Sequence, residues 1–536
     1  MKKFLLFLGV ICCILARADE VSKNVLTSPI AYRIDSRPIK CAPELTCTSP
    51  SLATFYQNRQ HAFAWVKNGE LTLPGEALVR AIRRAYIDGL DPRAYHVNQI
   101  NKMVAKLNSG DIAVSLDLEL TLTDGLFLYL NNLVYGLQNG KTLYPGWPIA
   151  SKYVDLQEVA GRIAKTDDID EILLSIAPKY PGYAMLREKL SDYYRIASKG
   201  GWEPIPLGAE SLKKGSKGKR VALLQRRLYL SGELSDDDTS GEFDKDLQQA
   251  VIKYQKDNGL TEDGVVNKQT LNSLNIPIEK RIRQIALNMD RMRFLPDDRP
   301  SRYVQVNIPS YTLEAFENGK LEVFSGVVVG KPNKRTCVLN SQIARAEINP
   351  YWNIPPSIVK EILPDIKADP NYLAENGIKV FNVESGGRYT NVDPRGINWE
   401  DPSVLNLKFR EDPGEDNALG RFKFIFDNKC GIYLHDSIAQ AAFDETRRGL
   451  SHGCIRIAEV DDFANYLLKP NGWDSNKVSA EVDSKKHQFV KLTTPTQLYV
   501  IYLTAWYDVD EGSMQFRDDI YHYDKLSAYP FYLSQD

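Results

Sequence analysis

Two short apolar runs constrain this chain more than any other feature. Gly431-Ile432-Tyr433-Leu434 ends on His435, and Ile455-Arg456-Ile457 begins directly after Cys454. Both read as buried strands. The segment between them carries Arg447, Arg448 and Gly449 and is rich in turn residues, so it is able to bring the two strand ends together. The fold predicted on this basis sets His435 beside Cys454. A thiol is a good nucleophile only as the thiolate, which requires a base or a cationic neighbour within hydrogen-bond reach. Cys454 is therefore the candidate nucleophile and His435 the candidate general base.

At 536 residues with 43% hydrophobic residues, the chain is long enough for several domains with cores of their own. Its 67 basic and 69 acidic residues give a net charge of −2. A chain so balanced lacks the footprint of a nucleic-acid binder, and nucleic acid is excluded as a partner. Met1-Lys2-Lys3, the apolar run Phe4 to Leu15 and Ala16-Arg17-Ala18 read as a signal peptide, residues 1–18, and imply export. About twelve apolar residues are short for a bilayer span, so the segment is at most a transient or uncleaved membrane anchor. Ile11 stands before Cys12 where a lipoprotein signal needs a small residue, and lipidation is not expected.

Beyond residue 18 the cysteines are Cys41, Cys47, Cys337, Cys430 and Cys454. An odd number in an exported chain leaves at least one thiol free, and Cys454 has the chemical reason to be that one. Cys41 and Cys47 are spaced to close a small loop, whereas Cys337 and Cys430 read as buried bystanders. Clustered metal-ligand spacings such as Cys-x-x-Cys are missing from the sequence, so neither a metal nor a cofactor is expected.

The predicted fold is a multidomain α+β chain. Residues 19–47 are polar and read as a linker. Residues 48–205 read as an α-helical domain, with helical spacing through Phe55, Leu78 and Ile82 to a stop at Gly89, and a long helix from Leu118 to Leu137. Its charged residues read as solvated helix faces. The passage Lys213 to Lys219 marks a boundary, and residues 207–276 form a small helical unit with Val221, Leu224 and Leu228 on one face and Leu247, Val251 and Tyr254 on another. A connecting helix occupies 277–300. Residues 301–505 are mainly β: Val304, Val306 and Ile308 alternate with polar residues as a half-buried strand, and Asn318-Gly319 marks a hairpin. An insertion at about 350–418 is too long for a simple connection and reads as a lid. Residues 506–536 are read as a C-terminal tail.

Fifteen residues separate His435 from Ser451-His452-Gly453-Cys454. This pattern resembles the His-x(14 to 17)-[Ser/Thr]-His-Gly-Cys signature of the YkuD-type L,D-transpeptidases. The run Trp65, Ala81-Ile82, Asp88-Gly89-Leu90-Asp91-Pro92, Tyr95, together with Asn349 to Pro356 and Asn417 to Phe422, resembles their YcbB-like subgroup, large periplasmic enzymes with a scaffold domain and a capping subdomain. The pattern Gly218, Val221, Leu224-Gln225, Leu228, Gly241, Phe243, Ala250-Val251, Tyr254-Gln255, Gly259-Leu260, Asp263-Gly264, Thr270, Leu274 resembles a type 1 peptidoglycan-binding domain. Two positions depart from these patterns: Asn267 where that domain often has Gly, and Cys337 where the subgroup commonly has Pro.

The resemblance implies a periplasmic enzyme acting on peptidoglycan stem peptides and glycan, through a Cys454 thioester and a 3→3 cross-link, and inhibited covalently by carbapenem β-lactams. It also implies that His435 is oriented by the backbone carbonyl of Asp436. The residues themselves suggest the rest of the site: amides of Gly453 and Cys454 for the oxyanion, His452 to polarise, and Arg456 on the Cys454 face to hold a substrate carboxylate. Ser451, Tyr433 and Trp352 complete the expected substrate-binding set. Two further outcomes share the first half-reaction: cleavage by water, as a cysteine L,D-carboxypeptidase or endopeptidase, and attachment of a protein to the wall. A binding module without catalysis is opposed by the intact motif.

Overall fold

The structure, a computed structural model, describes residues 29–36, 38–107, 111–137, 152–384, 387–529 and 531–532. The expected signal segment, with Cys12 and Cys13, lies outside the described residues. No described helix is long and apolar enough to cross a membrane.

The first correction concerns residues 29–47, which are not a linker. Helix α1 (Pro29–Asp35) and the hairpin of β1 (Lys40–Ala42) and β2 (Leu45–Thr46) pack into the core, with Ile30, Ile34 and Cys41 buried. Arg33 pairs with Asp117 at 2.7 Å, and Cys41 and Cys47 form a disulfide. Next, α2 (Ser51–Asn58) and α3 (Leu73–Arg83) are separated by a small hairpin of β3 (Val66–Lys67) and β4 (Glu70–Leu71), where the sequence pattern suggested one helical stretch. Asn68 and Gly69 both take positive φ there and turn the chain. Gly89 then stops the helical run in the left-handed conformation at φ 69°.

After α4 (Val97–Lys106), α5 (Ile112–Tyr135) runs through the middle of the helical domain. Its acids are not a solvated face. Glu119 is fully buried and accepts from the amides of Ala64, Trp65 and Val66 at 2.5, 2.8 and 3.0 Å. Asp124, also fully buried, accepts from the amides of Thr48 and Ser49 and contacts His96. The helix thus supplies the acceptors that neighbouring loops, cut off from water, require. Helices α6 (Leu156–Ile163), α7 (Ile169–Ile176) and α8 (Tyr183–Ser198) complete the layer.

The small domain consists of α9 (Lys219–Ser231), α10 (Lys245–Asp257) and α11 (Lys268–Leu274) around a core that includes Val221, Leu224, Leu247, Val251 and Tyr254. Asn267 is the N-cap of α11, its side chain accepting from Gln269 and Thr270, so the departure from Gly is a helix cap. Helix α12 (Ile278–Met292) is buried on nearly all sides and joins this domain to the last one.

The last domain is a nine-stranded mixed sheet. Its strands are β5 (Arg302–Asn307), β6 (Thr312–Glu317), β7 (Lys320–Gly330), β8 (Leu339–Ile348), β13 (Phe422–Phe426), β14 (Leu434–His435), β15 (Gly449–Ser451), β16 (Ile455–Ile457) and β17 (Gln488–Ile501). Their order is β15-β7-β16-β14-β13-β8-β17-β5-β6, and β6 also pairs with β7, so the sheet closes on itself. Asn318-Gly319 forms the β6–β7 turn with both residues at positive φ. Strand β5 is buried on both faces, not one, because Gln305 and Asn307 meet Tyr180 and Leu503 on the side away from the valines. Between β8 and β13 the insertion forms a subdomain: β9 (Trp352–Ile354), α13 (Pro356–Ala368), β10 (Ile378–Val383), β11 (Tyr389–Val392) and β12 (Lys408–Glu411), in sheet order β11-β10-β12-β9. Ile354, Val359, Ile366, Val380 and Phe409 give it a core of its own.

The described residues after 505 are not a loose tail either. Strands β18 (Ala505–Asp508) and β19 (Ser513–Phe516) form a hairpin. Ser513 and Gln515 donate to Asp257 of α10 at 2.9 and 2.8 Å, tying the small domain down. Tyr521 is buried and reaches the catalytic sheet, donating to the carbonyl of Gly330 at 2.8 Å.

Candidate active site

Strands β14 and β16 lie side by side and parallel, with Leu434 opposite Ile455 and His435 opposite Arg456. Paired residues on neighbouring strands share a face, and so do residues two apart on one strand. Tyr433, His435, Cys454 and Arg456 therefore occupy one face, while Leu434, Ile455 and Ile457 fill the core on the other. This is the juxtaposition expected from the two apolar runs. Cys454 is the free cysteine among the described residues.

Burial is the main force on the site's ionisations. It pushes the Cys454 thiol up, against the opposing pull of the Tyr433 amide and hydroxyl and the charges of Lys423 and Arg456. It pushes His435 down to about 3, with the neighbouring Arg456 charge adding to the effect. The resting pair is thus a neutral thiol and a neutral imidazole. The backbone of Asp436 opposes the downward shift of His435 weakly, and the ring's Nδ1 is buried with no hydrogen-bond partner among the described residues. A neutral imidazole is able to accept a proton. The Asp436 carboxylate is occupied elsewhere: it accepts from the Arg421 amide and guanidinium at 2.9 and 3.1 Å and from the Ser437 amide at 2.8 Å.

The Ser451–Cys454 turn corrects two expectations. Ser451 does not face substrate. It is buried, donates to the Cys454 carbonyl at 2.6 Å and accepts from the Gly453 amide at 3.0 Å, so its hydroxyl locks the turn. The Gly453 amide is consequently spent and is not an oxyanion donor. The Cys454 amide, which has no acceptor among the described residues, remains for that role. Gly453 itself sits at φ 118°, a conformation that favours glycine. Its carbonyl accepts from Thr336 Oγ1 at 2.8 Å.

The Nε2 of His452 lies 2.6 Å from Glu361 Oε2 on α13, and Lys334 lies 3.0 Å from the other carboxylate oxygen, so this ring is engaged by the insertion. Arg456 has no ion-pair partner among the described residues, and its Nε is buried without a hydrogen bond. Tyr433 is more than a wall: Cys454 and Trp352 of the insertion both lie close enough to its hydroxyl to act on its ionisation, which burial raises.

Several contributors escaped the sequence. Lys423 pairs directly with His435 across β13 and β14, and its Nζ lies 4.7 Å from the Tyr433 ring centre. Only its place in the alternation Phe422-Lys423-Phe424 signals this. Cys337 and Cys430 are not bystanders but a disulfide spanning 93 residues. Cys337 follows Thr336, and Cys430 lies in the turn leading into β14, so the bridge joins the supports of Cys454 and His435.

A nucleophilic thiol, a neutral imidazole and an unpaired guanidinium on one face of a closed mixed sheet define a cysteine acyl-transfer site. Residues 301–483 match the family described as "L,D-transpeptidase catalytic domain", residues 50–190 that described as "Scaffold domain", and residues 217–274 that described as "Putative peptidoglycan binding domain". Residues 301–483 are thus a domain of the L,D-transpeptidase catalytic family, with scaffold and peptidoglycan-binding domains ahead of it. A Haemophilus influenzae protein named "Putative L,D-transpeptidase" is 34% identical over 265 residues, covering 48% of this chain and 52% of that protein. The chain thus spans about half the length of the curated relative it matches. Among solved structures, an L,D-transpeptidase of Xylanimonas cellulosilytica is 17% identical, covers 55% of this chain and 99% of its own, and overlays with a TM-score of 0.18. One from Stackebrandtia nassauensis is 15% identical, covers 54% and 94%, and overlays at 0.23.

Proposed function

We propose that this chain is a periplasmic L,D-transpeptidase that forms 3→3 cross-links between peptidoglycan stem peptides. The parallel pairing of β14 with β16, which places Cys454 and His435 on one face beside Arg456, is the observation that carries this reading. In the first step His435 takes the thiol proton as Cys454 attacks the carbonyl of the third residue of a donor tetrapeptide. The peptide bond to the terminal D-residue breaks, the proton passes to the leaving amine, and a thioester remains. A side-chain amine of a second stem then attacks the thioester; His435 takes a proton from that amine and passes it to the sulfur as the C–S bond breaks. The Cys454 amide supports the oxyanion in both steps. Arg456 holds a donor carboxylate.

The same thioester accounts for covalent inhibition by carbapenems, and residues 1–18 deliver the chain across the inner membrane. Residues 217–274 hold the enzyme to the wall. The test combines purified protein and synthetic tetrapeptides with intact-mass detection of the acyl-enzyme and separation of the products. The expected result is a thioester on Cys454, released as cross-linked dimer and lost in Cys454→Ala. Tripeptide as the sole product would turn the reading into a carboxypeptidase, and products unchanged in Cys454→Ala would end it.

A further inference from the structure

The amide left for the oxyanion is held from behind, by residues that do not face the substrate. The peptide joining Gly453 to Cys454 is planar and trans, so its C=O and its N–H point in opposite directions, and whatever grips the carbonyl also aims the Cys454 amide. Thr336 Oγ1 grips it at 2.8 Å. Thr336 is itself held at two points: its Oγ1 accepts from the Gly330 amide at 2.9 Å, and its own amide donates to the Tyr521 hydroxyl at 3.0 Å. Tyr521 closes the ring by donating to the Gly330 carbonyl at 2.8 Å. Thr336 and Tyr521 are both fully buried, so a bond lost here is not replaced by bulk water. Tyr521 lies beyond residues 301–483, the stretch that matches the catalytic family. Its own place is fixed apart from the catalytic turn. Its amide donates to the Tyr502 hydroxyl at 2.9 Å, its ring stacks on that of Tyr502 with centroids 5.6 Å apart, and Tyr502 donates to Asp519 at 2.6 Å. Four residues earlier, Arg517 donates to the Asp257 carbonyl of the small domain at 2.8 Å, and its amide to the Thr504 carbonyl at 2.9 Å. Burial pushes the Tyr521 hydroxyl up, so it stays protonated and able to donate.

We infer that Tyr521 is a positioning residue for acyl transfer: acting through Thr336, it fixes the Gly453–Cys454 peptide and so aims the Cys454 amide at the oxygen that becomes negative. The inference rests on the proposed reading of Cys454 as the residue that is acylated. The hydrogen bonds of Tyr521 go to Gly330, Thr336 and Tyr502 and not to Cys454, so its effect is on the direction of the amide and not on the thiol. An oxyanion donor is worth about 100- to 1,000-fold in kcat, and one that stays in place but points loosely forfeits part of that. Reactions of Cys454 that build a tetrahedral oxyanion therefore depend on Tyr521. Reactions that only displace a leaving group from saturated carbon do not.

Tyr521→Phe keeps the ring and removes the hydroxyl, and two reactions of the full-length protein are compared well below its melting temperature. In the first, p-nitrophenyl acetate acylates Cys454: the sulfur attacks the ester carbonyl, an oxyanion forms, and nitrophenolate leaves as the C–O bond breaks. In the second, iodoacetamide alkylates the same sulfur by displacing iodide, with no oxyanion. The expected result is acylation slowed by about tenfold or more, with alkylation within about twofold of wild type at every pH. With a synthetic tetrapeptide donor the loss falls on kcat, while KM stays within about twofold. Equal slowing of acylation and alkylation would make Tyr521 a general support of the turn and overturn the assignment, and so would acylation at the wild-type rate. Where Tyr521→Phe gives no folded protein, Tyr502→Phe, which frees the Tyr521 amide, is read in the same two reactions, and an unchanged ratio between them overturns the assignment. A wild type that takes the ester but never releases the terminal residue of the tetrapeptide refutes the transpeptidase reading, while the two rates of the variant still decide the role of Tyr521.

Discussion

Thr336 donates through Oγ1 to the carbonyl of Gly453 at 2.8 Å and accepts through the same atom from the amide of Gly330 at 2.9 Å. It is fully buried, and its own amide donates to Tyr521, which in turn holds the Gly330 carbonyl. One hydroxyl therefore clamps the turn that presents Cys454 to the end of β7 and to the C-terminal segment. Thr336→Val keeps the shape and strands two buried groups, each at a cost of about 1–3 kcal/mol. The melting temperature should fall, and acylation of Cys454 should slow by about tenfold or more well below the melt, as the Gly453 peptide loses its anchor. A lower melting temperature with unchanged acylation would make the clamp purely structural.

The ionisation of the resting site predicts a pH profile. Burial raises the Cys454 thiol and lowers His435 to about 3, so neither carries charge at neutral pH. Alkylation of Cys454 by iodoacetamide in the free enzyme should then climb with pH through the ordinary thiol range, by about tenfold per pH unit until the thiol titrates. A preformed thiolate–imidazolium pair would instead give a plateau from mildly acidic pH upward, and its observation would refute this picture. The sign for stability follows from the same shift. Between about 3 and 6.5 the unfolded chain binds a proton that the folded His435 refuses, so this residue's contribution to stability rises with pH across that window.

The part of the site that lies in short contiguous runs was legible, because a strand is written in its own alternation. The runs before His435 and after Cys454, and the Asn318-Gly319 turn, predict their elements directly. What the sequence hid depends on register between distant strands. The place of Lys423 beside His435 appears only when β13 is laid against β14, and Cys337 reads as a bystander until the sheet brings it to Cys430. Glu119 and Asp124 misled for a related reason: a carboxylate buried to cap other segments' amides looks, in one dimension, like one facing water. The assignment of Gly453 as an oxyanion donor failed at a finer scale, since the hydroxyl two residues before it had already taken its amide.

The Cys337–Cys430 bridge closes a loop of 93 residues that contains the whole insertion. Loss of a native disulfide costs about 2–5 kcal/mol, so the double variant Cys337→Ser with Cys430→Ser should melt well below the wild type. Alkylation of the denatured, unreduced protein followed by peptide mapping should label Cys454 while sparing Cys41, Cys47, Cys337 and Cys430. Labelling of Cys337 and Cys430 in freshly purified oxidised protein would show that the bridge does not form.

The contact between the insertion and the catalytic turn predicts how access is controlled. Glu361 on α13 meets His452 at 2.6 Å and Lys334 at 3.0 Å, and these two bonds, that to His452 foremost, hold its carboxylate below the usual range. His452 lies two residues before Cys454 and Lys334 two before Thr336, so the insertion grips both supports of the nucleophile. All three side chains are at least a third exposed, and charges so placed are screened by solvent and weakened further by salt. The grip is therefore one that opens readily. Glu361→Gln should speed modification of Cys454 by a bulky thiol reagent a few-fold relative to a small one, and added salt should do the same to the wild type but much less to the variant. A loosened insertion also admits water to the thioester, so the variant should release more tripeptide per cross-linked dimer. If both the reagent ratio and the product ratio stay at their wild-type values, the Glu361 contact does not gate the site, and closure would rest on the approach of Trp352 to Tyr433.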